Sequence, residues 1–119
     1  MGKVVINLTS GPEDPESSTI AYLVGTAAQT AGHEVLFFMT KEAVRFGLLG
    51  GTETVEADDR PRLADLAQQF AERGGEIYLC PVCFTSRGLD EGALLENARV
   101  SGAAALWEWA GESVTAFTY

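Results

Sequence analysis

Short runs rich in β-branched and aromatic residues alternate along the chain with stretches whose apolar positions recur every three or four residues. "KVVINL" (3–8), "HEVLFFM" (33–39) and "EIYLC" (76–80) are nearly continuous apolar runs, which predicts strands buried on both faces. "ARV" (98–100) and "SVTAFTY" (113–119) supply two shorter strands. Ile20, Leu23, Val24, Ala27 and Ala28 recur at helical spacing, with Ser17 or Ser18 as cap and Gly32 just past the end. Thr40 opens a short helix in "KEAVRFGLL", which stops at Gly50-Gly51. "TETVEADDR" reads as a loop or irregular edge. Leu63, Leu66, Ala67 and Phe70 line one face of a further helix, with Pro61 at its first position and Gly74-Gly75 ending it. "DEGALLENA" and "AAALWEWA" complete the series as short helices. Strands alternating with helices imply parallel pairing through right-handed crossovers. The expected architecture is an α/β three-layer sandwich around a five-stranded, mostly parallel sheet.

Size and charge narrow the function. The 119 residues fit one compact domain, taken as 1–119, large enough to bury a core without disulfide or metal staples. Seventeen acidic residues against eight basic ones leave a net charge of −9, which repels nucleic acid and anionic membranes. The charge serves solubility or meets a basic partner surface. No segment is long and apolar enough to cross a membrane, and the first apolar run is too short for a signal peptide. A cytoplasmic location is therefore expected, and with it two reduced thiols.

The candidate chemistry lies in "EIYLCPVCFTSRG", which holds both cysteines. In a parallel α/β sheet, ligands collect outside the carboxyl ends of the strands. Cys80 ends a strand there, and Pro81 suits the first position of the helix that follows. A thiol facing unpaired first-turn amides, with Arg87 adding positive charge, ionises more easily, and the thiolate is the nucleophile. Four roles compete for the pair. A thioredoxin-like couple has the right local pattern, but the preceding element order differs and no proline follows Pro81. A zinc site needs four ligands, and this chain offers two cysteines and the distant His33, so two chains would have to pool their thiols. Two inert structural cysteines form the third reading. The fourth is a nucleophilic or sulfur-carrying Cys80, with Cys83 as neighbour or resolving thiol.

Other residues are weighed against this site. Tyr78 precedes Cys80 by two and belongs beside it or in the core. Gly11 and Pro12 lie in the loop after the first strand, on the same rim, where that loop could close over a small ligand. His33 begins a strand and falls at the opposite end of the sheet. No phosphate-binding loop or dinucleotide fingerprint is present, so no cofactor and no metal are expected. Trp107 and Trp109 cannot share a helix face, so one of them is expected at the surface, where with Phe117 and Tyr119 it would serve a subunit contact.

Taken together, the chain resembles the DsrE/DsrF-like family of small sulfur-handling proteins. The likeness is carried by "SGPEDPESSTIAYLVGTAAQTAGHEVLFFMTKEAV", by "YLCPVCFTSRGL" with its strand-end cysteine ahead of Arg-Gly, and by "ARVSGAAALWEWA". It implies a Rossmann-like parallel fold, a homo-oligomer (commonly a trimer or hexamer), and a persulfide-carrying cysteine matched here by Cys80. Sulfur donor and acceptor proteins would be the partners. The proline and second cysteine of "CPVC" depart from the relay subunits, which leaves thiol-redox chemistry by Cys80 and Cys83, or simple ligand or partner binding, as alternatives.

Overall fold

Hydrogen-bonded pairing in the computed structural model, which describes residues 2–55 and 61–119, follows the order β4-β3-β2-β1-β5, with every pair parallel. The elements are β1 (Lys3–Leu8), α1 (Pro15–Thr30), β2 (Glu34–Met39), a 3-10 helix (Lys41–Gly47), α2 (Leu63–Glu72), β3 (Glu76–Leu79), α3 (Pro81–Ser86), a 3-10 turn (Glu91–Ala93), β4 (Ala98–Val100), α4 (Ala103–Ala110) and β5 (Thr115–Thr118). The expected five-stranded α/β architecture is present. Among the described residues, no helix is long and apolar enough to cross a membrane.

Strand alternation divides the core in two. Val4, Ile6, Leu8, Val35, Phe37, Met39, Ile77 and Leu79 pack with Ala21 and Tyr22 of α1 and Leu63, Leu66 and Phe70 of α2. Val5, Leu36 and Tyr78 point the other way, beneath Leu106 and Trp109 of α4. The central strands are thus buried on both faces, which is why their sequences are unbroken apolar runs.

Several boundaries and faces differ from those the sequence predicts. Asp14, not Ser17 or Ser18, caps α1: its carboxylate accepts from the Ser17 amide, and Pro15 takes the first turn. The buried face of α1 is rotated from the apolar stripe. Ser18, Thr19, Ala21, Tyr22, Gly25 and Thr26 face the sheet, while Ile20 and Leu23 are each 38% exposed. Small residues win because the helix lies close to the sheet; a Cβ on Gly25 would stand 3.3 Å from both Ile6 and Phe37. Two of the buried hydroxyls are satisfied on their own helix, Thr19 donating to the Pro15 carbonyl at 2.7 Å and Thr26 to that of Tyr22 at 2.9 Å.

α2 begins at Leu63, two residues after Pro61, and ends where Gly74 takes a φ of 84°. "DEGALLENA" forms only the turn Glu91–Ala93. Its backbone is used elsewhere: the Ala93 carbonyl accepts from Leu49 and the Leu95 amide donates to Gly47, a tertiary pairing that displaces the local helix. Of "TETVEADDR", residues 56–60 lie outside the described residues.

Tyr22 sits at the centre of the larger core, stacked on Phe37 at 4.5 Å and edge-on to Phe46 and Phe70. Its hydroxyl is buried and has no hydrogen-bond partner, and burial raises its pKa strongly. An unsatisfied buried hydroxyl costs about 1–3 kcal/mol. Tyr22→Phe is therefore expected to leave stability unchanged or raise it by about 1 kcal/mol in urea unfolding. A clear loss of stability would mean that the hydroxyl has a partner in solution.

Candidate functional site

Three chain segments meet at the carboxyl rim because successive strand ends are tied together. The Thr40 amide donates to the Leu8 carbonyl at 3.0 Å, and the Cys80 amide donates to that of Met39 at 2.9 Å. The loop after β1, the 3-10 helix after β2 and α3 after β3 consequently start side by side. On the far side of α3, the Ser101 amide bonds the Leu79 carbonyl at 3.0 Å, and Gly102 at the start of α4 lies against Pro81.

Cys80 is half-buried at the end of β3, in the N-cap position of α3, and Pro81 opens that helix. The thiol makes no cap hydrogen bond. Burial pushes its pKa up. Against that act the amide and thiol of Cys83, the amide of Val82 and the charge of Arg87, and the net result lies below the ordinary thiol range. The first-turn amides act mainly on the anion. Since α3 has only six residues, these local groups rather than a long helix dipole favour the thiolate. Cys83 packs against the larger core, and the two thiols are free. Val82 between them is 76% exposed, and both cysteines are half-buried.

Arg87 stands at the end of α3 and is already engaged. Its Nε donates to Glu42 Oε2, and its Nη1 donates to the Cys83 carbonyl at 3.1 Å. Glu42, on the 3-10 helix, also accepts from Arg45 Nε at 2.8 Å. Hydrogen bonds from Arg87 and then Arg45 hold the Glu42 carboxyl below its usual range. Glu42 belongs to no motif, and its spacing of three from Arg45 is the local signal in the sequence that it has a partner.

Gly11 comes to the same place with its polar groups spent. Its amide donates to Glu13, and its carbonyl accepts from the Asp14 amide and the Ser18 hydroxyl. A Cβ on Gly11 would collide with the Glu42 carbonyl oxygen. Glycine is thus needed for close packing on the 3-10 helix. Pro12 follows it, half-buried in the same turn. Tyr78 lies under α4 in the second core cluster, with Arg99 over its ring at 5.7 Å. His33 accepts from the Gly2 amide at 3.0 Å at the opposite end of the sheet. The structure therefore brings together Cys80, Cys83, Pro81 and Arg87, sets the Gly11–Pro12 turn one segment away, and separates Tyr78 into the core.

Among the described residues there is no group of three or more metal-ligating side chains. A surface hollow of about 650 Å³ lies between α2 and the segments near Leu48 and Leu95, and Cys80 is not among its lining residues.

The model of the DsrE/DsrF-like family matches residues 2–119. The uncharacterized protein MK0008 of Methanopyrus kandleri is 26% identical over 110 residues, covering 92% of this chain and 88% of that protein. The uncharacterized protein MJ0760 of Methanocaldococcus jannaschii is 25% identical over 99 residues, and the match spans 83% of this chain but only 36% of that protein. In fold, the chain is similar to the YchN protein from E. coli, with a TM-score of 0.80 and 18% identity over the whole of both chains. It is also similar to MTH1491 from Methanobacterium thermoautotrophicum, with a TM-score of 0.67 and 14% identity, again over all of both.

The depressed thiol has a direct consequence for reactivity. As pH rises, Cys80 reaches its thiolate form before an ordinary cysteine, whose pKa is about 8.5. Iodoacetamide alkylation at neutral pH is expected to modify Cys80 ahead of Cys83, with a rate profile that lies at lower pH in the folded protein than in the urea-unfolded chain. A faster Cys83, or an unshifted profile, would contradict the assignment.

Proposed function

This chain belongs to the DsrE/DsrF-like family, and from that premise we propose that it is a cytoplasmic sulfur carrier that holds a persulfide on Cys80. The observation that carries the reading is the setting of Cys80: a half-buried thiol at a strand end, favoured as an anion by the amides of Cys83 and Val82. The Cys80 thiolate attacks the outer sulfur of a donor protein's persulfide. The donor S–S bond breaks, a new S–S bond forms on Cys80 with the outer sulfur keeping its hydrogen, and the donor leaves as a thiolate that takes up the proton Cys80 released on ionising. An acceptor thiolate then repeats the step on the outer sulfur of Cys80. No net oxidation occurs, so neither cofactor nor metal is required.

A second reading is favoured by the placing of the two free thiols, Cys80 at the N-cap and Cys83 one turn on in the same short helix. From there, Cys83 as thiolate attacks the inner sulfur of a Cys80 persulfide. The outer sulfur leaves as hydrosulfide, and a Cys80–Cys83 disulfide remains for a dithiol to reduce.

We further propose a homo-oligomer. β5 is an edge strand whose four residues are all exposed, and it bears no charge, proline or bulge to blunt it. Phe117 on this strand is 42% exposed and Trp107 on α4 is 74% exposed, while Trp109 is turned inward. A second copy is the occupant that leaves these groups covered.

Mass spectrometry after incubation with a persulfide donor tests the carrier. Addition of one sulfur atom to Cys80 is expected, with loss of that addition in Cys80→Ser. Persistent loading of Cys83 in Cys80→Ser would make Cys83 the carrier and overturn the reading, and release of hydrosulfide with disulfide formation would favour the second one. For assembly, light scattering is expected to give a multiple of the 12.7 kDa chain mass, falling to the single-chain value in Trp107→Asp combined with Phe117→Asp. A monomeric wild type would refute the interface.

A further inference from the structure

Arg87 ends the short helix that Cys80 caps, and its side chain is held by a residue from another segment; its charge is the smallest of the influences that favour a Cys80 anion. Its guanidinium joins the Glu42 carboxylate on the 3-10 helix to the Cys83 carbonyl in α3, with a longer bond to the Ser86 hydroxyl at 3.4 Å. The fork shape of arginine allows both at once, which a lysine ammonium on a flexible stem does not reproduce. The Cys83 residue so gripped also supplies the amide and thiol that favour a Cys80 anion. Glu42 is itself fixed from two further sides. Arg45 engages its other carboxylate oxygen, and the Gly11 turn is packed on its backbone so closely that no side chain fits between. Lys41, just before it, has a φ of 54°, the one left-handed non-glycine residue among those described. That bend turns the chain from β2 into the 3-10 helix and presents Glu42 to α3. The Arg87 side chain is 24% exposed and that of Glu42 38%, so the pair is partly shielded from water.

We propose that Glu42 is a positioning residue of the Cys80 site, pinning Arg87 to the Cys83 carbonyl so that its positive charge stays fixed on the short helix whose N-terminus carries the Cys80 thiol. The inference rests on the reading of Cys80 as the reactive thiol, and it adds the group that sets its reactivity. The charged and titratable groups on the elements packed here are Cys83 on α3 and Arg87 at its C-cap, Lys41, Glu42 and Arg45 on the 3-10 helix, and Glu13 and Asp14 in the turn after β1.

Sign separates positioning from a bare charge effect. Glu42 is negative, and a nearby negative charge by itself raises a thiol pKa. If that were its whole role, Glu42→Ala and Glu42→Gln would both make Cys80 more acidic. If Glu42 holds Arg87 in place, Glu42→Ala releases the guanidinium and makes Cys80 less acidic. Glu42→Gln keeps an acceptor for Arg87 Nε and does not raise the thiol pKa.

The pH profile of iodoacetamide alkylation, measured in a Cys83→Ser background so that only Cys80 reacts, reads this out. Glu42→Ala is expected to move the profile upward by on the order of half a pH unit, and Glu42→Gln to leave it in place or move it down. Arg87→Lys keeps the charge but loses the double anchor, and it too is expected to move the profile upward. Should Glu42→Ala misfold, the Glu42→Gln and Arg87→Lys pair still decides. An unchanged or downward profile in Glu42→Ala, or an unchanged one in Arg87→Lys, overturns the proposal. An unshifted thiol in the parent would instead overturn the reading of Cys80 itself. Persulfide loading is measured separately and is not needed to tell these two failures apart.

Discussion

The parallel register of β1, β2 and β3 is the constraint on which the site depends. Each strand end bonds the next: Thr40 to Leu8, then Cys80 to Met39. Three connections that are far apart in the chain must therefore begin at one rim. A slip of one residue would turn Phe37, fully buried beside Tyr22, toward the opposite face, and would invert the two core clusters. The core thus enforces the register, and the register places the chemistry.

Given that placement, the local physics of Cys80 is a contest between burial and directed polar groups. Burial in part disfavours the anion, while amides, a neighbouring thiol and a guanidinium favour it. The short helix contributes by the direction of its first N–H groups, not by its length. Arg87 would be a mobile surface charge if it were not joined to Glu42 and the Cys83 carbonyl. Exposed ion pairs contribute little to stability in general. Here the pair matters for geometry, since it links the segment after β2 to the helix carrying both thiols.

The two edges of the sheet are treated unequally. β4 has three residues, and its Arg99 both pairs with Glu76 at 3.4 Å and covers Tyr78. Such an edge is short and charged, which discourages further pairing. β5 has no such protection, and α4 is the helix packed on that side's smaller cluster. The chain carries −9 in all, and this uncharged strand adds no local charge to it.

Much of this was legible in the residues themselves. Continuous apolar runs marked the central strands, glycines marked helix ends, and the strand-then-"CPVC" order placed Cys80 at the mouth of a helix. These are local signals, because backbone preference and burial periodicity act over a few residues. Where neighbours competed, local reading failed. The exposed side of α1 carries Ile20 and Leu23 because close approach to Ile6 and Phe37 demands a small residue at Gly25 on the inner face. "DEGALLENA" gave up its helix to pair with residues near Gly47. Glu42 and Arg87, 45 positions apart, had no pattern linking them. The order of strands and helices along the chain and the position of the thiol were written in the sequence by itself. Which charges reach that thiol was decided only by tertiary packing, because an ion pair between distant segments depends on distances that no spacing along the chain encodes.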